Sequence, residues 1–90
     1  MQEQGLEFTI EPFVEGHPGP HVRAAVDAVE ALGVAVEFGP FGSSCRTAST
    51  TMSAVAAAIV QEAFANGATH VSMHVSAVQL ANDAAADGAA

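Results

Sequence analysis

Four histidines, one cysteine and ten carboxylates are the residues of this 90-residue chain that could do chemistry. His70 and His74 stand four apart, a spacing that brings two ligands to one metal ion on a helix. Their segment, Val71-Ser-Met-His-Val-Ser, alternates apolar and polar residues as a strand does. On a strand four residues span about 13 Å, while a metal ion holds each of its ligands at about 2 Å. His17 and His21 bracket Pro18-Gly-Pro with no third ligand evident, so no metal site is expected. Cys45 has Arg46 beside it, but sequence adjacency does not place a base on a thiol. Its place in a strand reads as that of a small packing residue. A single cysteine also makes no intrachain disulfide and no thiolate cluster. No catalytic residue and no cofactor is expected, and the chain reads as a non-enzyme.

Charge narrows the partners. Ten carboxylates face two cations, Arg23 and Arg46, and the formal net charge is −8. A nucleic-acid binder needs a basic footprint to displace counterions from phosphates. None is present, so nucleic acid and anionic membrane surfaces are excluded, and a cationic small molecule is the favoured partner. The longest apolar run, Ala54 to Val60, is far short of the roughly 20 residues of a membrane span. The N-terminal residues have neither the positive stretch nor the apolar core of a signal peptide, so a cytoplasmic location is expected.

The elements that must position these side chains follow from periodicity. Leu6, Phe8 and Ile10 alternate with Glu7, Thr9 and Glu11, which predicts a strand with one buried face. A Gly/Pro loop leads to Pro20, suited to the first helical turn. Val22, Val26, Val29 and Leu32 then recur at helical spacing up to Gly33, a helix stop. Val34, Val36 and Phe38 make a second strand, and Gly39-Pro-Phe-Gly turns into a polar third strand over Ser43 to Thr47. Ser49, Thr50 or Thr51 can cap a second helix, carried by Val55 and Ile59 to Asn66-Gly67. Val71, Met73 and Val75 form the fourth strand.

Strand, helix, strand, strand, helix, strand is the α+β, ferredoxin-like βαββαβ arrangement: a four-stranded antiparallel sheet in the order 4-1-3-2, with two helices near 18–32 and 50–66 on one face. Residues 1–80 are read as this single domain and 81–90 as a flexible, small-residue acidic tail. The core is thin, because about twenty of the apolar residues are alanine, and each buries little area. Self-association as a homodimer or homotetramer, through the sheet or its edges, is therefore expected. The uncovered sheet face carries Glu7, Thr9, Glu11, Ala35, Glu37, Ser72, His74 and Ser76, joined by Arg46 if Ser44 and Arg46 point outward. It is either an ordinary solvated face or a polar interface or pocket.

Three segments carry a family resemblance: Phe8-Thr-Ile-Glu-Pro-Phe, Val34-Ala-Val-Glu-Phe-Gly-Pro-Phe-Gly-Ser-Ser and Gly67-Ala-Thr-His-Val-Ser-Met-His-Val. Over about Leu6 to Val78 the chain resembles the small thiamine-binding proteins, single-domain relatives of the YkoF-type hydroxymethylpyrimidine/thiamine-binding proteins. The resemblance implies an oligomeric binding protein, without catalysis, that holds thiamine or its hydroxymethylpyrimidine precursor as carrier, sensor or buffer. Family members often carry an acidic Glu-Gly segment after the third strand, and Arg46-Thr-Ala-Ser-Thr stands there instead.

Toward such a ligand, Ser43, Ser44 and Thr47 supply hydroxyls that both donate and accept, matching the edge of an aminopyrimidine. Glu11 and Glu37 are the carboxylates chosen to face a cation, and Phe13 and Phe41 could stack on an aromatic ring. Each has a plainer reading as a polar hairpin, surface charge or loop aromatic closing the core. Two other functions suit the same fold: an amino-acid-sensing regulatory domain, and a small cofactor-free enzyme with a pocket on the open face.

Overall fold

The computed structural model describes residues 2–13, 18–39 and 42–78. The expected tail at residues 81–90, Phe41 and His17 lie outside the described residues. The chain runs β1 (Glu3–Glu11), α1 (Pro20–Ala31), β2 (Val36–Gly39), β3 (Gly42–Ala48), α2 (Ser49–Ala65) and β4 (His70–Ala77). One four-stranded sheet has the order β2-β3-β1-β4, every pairing antiparallel, so the ferredoxin-like arrangement holds. No helix among the described residues is long and apolar enough to cross a membrane.

Alternation in β1 decides the sheet's two faces. Leu6, Phe8 and Ile10 are buried under the helices, and Glu7 between them is exposed. Their partners inherit the same sides, because residues directly opposite in an antiparallel pair project to one face. Leu6 pairs with Cys45 and Val75, and Phe8 with Ser43 and Met73, which puts those four on the helix side. Glu7 pairs with Ser44 and His74, which puts these on the open side.

From the helices, Met52, Val55, Ile59 and Ala63 of α2 and Ala25, Val26 and Val29 of α1 fill the core. The stripe on α1 is set by His21 and Ala25 as much as by valine, and Leu32 is 44% exposed just past the helix end. His21 is buried, and its Nε2 lies 2.6 Å from the carbonyl oxygen of Pro12. A carbonyl can only accept, so Nε2 carries the proton. This bond ties the first turn of α1 to the end of β1, which gives the histidine a structural role.

The helix ends follow the expected stops. Gly33 (φ 85°) and Gly67 (φ 106°) take left-handed backbone just beyond α1 and α2, the conformation that ends helices at glycine. The expected hydroxyl cap of α2 is corrected. Its N-cap is Ala48, with no side-chain cap bond, and Ser49 is already helical. The Ser49 amide, one of the first helical amides that have no partner inside the helix, donates to the carbonyl of Gln2 just before β1, 2.8 Å away.

Candidate functional site on the open sheet face

Strand register assembles the site. Glu37 of β2 faces Ser44 of β3, Ser44 faces Glu7 of β1, and Glu7 faces His74 of β4. The four form one row across the open face, one residue from each strand. At a strand spacing of about 4.8 Å the row is about 14 Å long, with the two carboxylates separated by one serine. On one side of the row Arg46, Gly5 and Ser76 form the next rank. On the other, Gly39 pairs with Gly42 and Thr9 with Ser72.

Small residues flank the row, so the surface beside it is sunken. One concavity of about 440 Å³ lies toward Thr9, Gly42 and Ser72. A second, of about 760 Å³, lies toward Ala35, Glu37, Arg46 and Ser76. Glu7, Ser44 and His74 line both, so the two depressions meet on the row. Gly42 is required where it stands: its φ is 154°, and a Cβ there would meet the Phe8 carbonyl oxygen and the Thr9 methyl at 2.9 Å. Only glycine lets β3 begin this close to β1.

The residues named from the sequence divide between the faces. Glu37 and Ser44 are in the row. Glu11 is on the same face but at the far end of β1, opposite His70, with 3.5 Å from its Oε1 to His70 Nδ1. Thr69 binds there too: its amide and hydroxyl both donate to the Glu11 carbonyl oxygen, at 2.8 and 3.2 Å. Ser43 and Thr47 are the correction. Both have the register parity of Cys45, which puts them on the helix side, and Ser43 is buried. The three hydroxyls expected to act together are thus split by the pleat, and only Ser44 points to the open face.

Phe13 is 71% exposed beyond the end of β1, so it does not close the core. Cys45 is buried opposite Leu6 and unpaired, and burial pushes its thiol pKa up, the reverse of what a nucleophile needs. His70 and His74 share the open face of β4 at the strand separation expected, and no cluster of three metal-ligating side chains occurs among the described residues.

Glu7 and His74 were visible in the sequence as open-face residues but not as members of the site. The missing quantity was register. Alternation tells which face a residue takes, and pairing alone tells which side chains stand side by side.

No family model matches the chain, and no curated protein matches it. Among solved structures it is similar to a domain of unknown function, DUF77, from Bacillus cereus, with TM-score 0.62 and 19% identity over 86% of this chain and 75% of that one. It is also similar to the hypothetical protein MJ1052 from Methanocaldococcus jannascii, with TM-score 0.59 and 15% identity over 98% of both chains. These likenesses establish the shared small fold.

Proposed function

We propose that the open sheet face binds a small cationic or aminopyrimidine-bearing molecule, thiamine first or its hydroxymethylpyrimidine precursor, without chemical conversion. The observation that carries this reading is the row Glu37–Ser44–Glu7–His74, where two carboxylates flank a serine at the meeting line of two concavities. The carboxylates attract a cation. Ser44 and His74 offer hydrogen-bonding groups for ring nitrogens and an amine. Small neighbours, Gly5, Gly42 and Ser72 among them, let a flat ring approach the sheet. Support for thiamine itself is the resemblance of the strand and turn segments to the thiamine-binding proteins. A carrier, sensor or buffer role fits a chain whose one thiol is held protonated in the core.

Titration calorimetry with thiamine, hydroxymethylpyrimidine and the thiamine phosphates tests the reading. Thiamine should release or absorb heat, and its phosphate esters should bind less well because they bring negative charge to an acidic face. No heat with any of them, or tighter binding of the pyrophosphate, would overturn it. The amino-acid-sensor and enzyme readings would then come forward.

A further inference from the structure

We infer that the free edge of β4, with the flank of α2 above it, pairs with a second copy of this chain, antiparallel about a twofold axis at Met73, to make a continuous eight-stranded sheet. The inference is independent of the ligand and rests on the contrast between the sheet's two edges. β2 is a four-residue strand with Glu37 inside it and glycine at its end, the kind of short, charged edge that resists pairing. β4 is eight residues long and contains no Asp, Glu, Lys, Arg or Pro. Among the described residues nothing pairs with its outer row of backbone N–H and C=O groups, which is a template for another strand.

Apolar surface runs along the same edge. Val75, on the helix side of β4, is 45% exposed, beside the half-buried Met73 and Val71. On α2, Val60 and Phe64 are 43% and 49% exposed and stand one residue beyond the core positions Ile59 and Ala63. β3 and β4 are parallel across β1, and the connection between such strands is right-handed. In that hand, the flank of α2 one residue past its core positions turns toward β4. Val60 and Phe64 therefore lie on the β4 side of α2, and edge and helix form one apolar strip.

Charge selects the occupant. The chain carries a formal −8, so two copies approach most easily where carboxylates are absent. The open face has Glu3, Glu7, Glu11 and Glu37 against one arginine, Arg46, and stacking two such faces sets like charge on like. The β4 strip has no carboxylate. It is also self-complementary. In an antiparallel pair partners must project to the same face, so the twofold passes through a residue rather than between two. With the axis at Met73, Val71 meets the partner's Val75 on the helix side, and His74 meets the partner's Ser72 on the open side. An axis at His74 would instead oppose two histidines.

Light scattering of the full chain at micromolar concentration should find a dimer. Val75→Glu, which would bury a charge in the pair, should raise the dimer dissociation constant by about tenfold or more with an unchanged far-ultraviolet spectrum. Arg46→Glu, on the open face, should leave it unchanged. Met73→Cys should be captured as a dimer by a short thiol cross-linker, because its two copies meet at the axis, whereas Val75→Cys should not. A monomeric wild type, dissociation by Arg46→Glu but not by Val75→Glu, or cross-linking at Val75→Cys without Met73→Cys would each overturn the pairing.

Discussion

Glu7 on β1 stands directly opposite His74 on β4, with Ser44 on its other side. That carboxylate thus has a neutral hydroxyl on one flank and an imidazole ring on the other. Exposed charges about 4 Å apart interact by roughly 1 kcal/mol in water, more where water is displaced. Glu7→Gln should therefore weaken thiamine binding by about fivefold, and Glu37→Gln by less, because Glu37 lies on the edge strand. Raising salt should weaken the wild type more than either variant. Calorimetry at two ionic strengths checks both.

The two well-placed histidines of the chain should differ in what they contribute to stability. His21 is buried with its Nε2 on the Pro12 carbonyl, so His21→Ala removes packing and leaves a carbonyl without its donor, costing about 1–3 kcal/mol. His70 faces Glu11 at 3.5 Å on the surface, with the two side chains 73% and 47% exposed. Pairs of that kind contribute about 0–1 kcal/mol. His70→Ala should leave the denaturant midpoint nearly unchanged, and His21→Ala should lower it clearly.

Much of this layout was legible in the sequence because its signals are local. Alternation at Leu6–Glu11 and Val71–Ser76 gave the strands their faces, and Gly33 and Gly67 gave the helix ends. The βαββαβ order then left the strand order 4-1-3-2 as the arrangement for both crossovers. What failed depended on pairing between distant segments. Ser43, Ser44 and Thr47 are hydroxyl bearers in one short segment, and nothing local shows that Phe8 and Leu6 draw Ser43 and Cys45 inward. β3 lacks the apolar alternation that would have announced it. The cap of α2 failed for the same reason: its amide is satisfied by Gln2, some 47 residues earlier in the chain.

Cys45 makes a prediction with a definite sign. Burial raises its folded-state pKa above the ordinary 9.0, so in the folded chain the thiol holds its proton to higher pH than in the unfolded one. Stability from this group is complete below pH 9.0 and declines as pH rises through and beyond that value. Native protein at pH 8 should react slowly with iodoacetamide, and unfolding in denaturant should expose the thiol to rapid alkylation. Fast native alkylation would contradict the packing role and reopen a chemical one.

The glycine that opens β3 provides a test of the site's floor. Gly42 combines a φ of 154° with a close approach to Phe8 and Thr9, whereas Gly33 has a φ of 85° and open space where a Cβ would stand. Gly33→Ala should cost only the backbone strain, about 1 kcal/mol. Gly42→Ala adds a collision with main chain, which cannot rotate away as a side chain can, so its cost should be larger, about 2–3 kcal/mol. The collision also pushes β3 from β1 where Thr9 and Ser44 line the first concavity. Gly42→Ala should thus weaken thiamine binding even at temperatures where it is fully folded, and Gly33→Ala, at the far end of α1, should not. Thermal melts followed by calorimetry on the folded variants separate the two effects. Equal affinity in both variants would mean that the ligand does not rest on this part of the sheet.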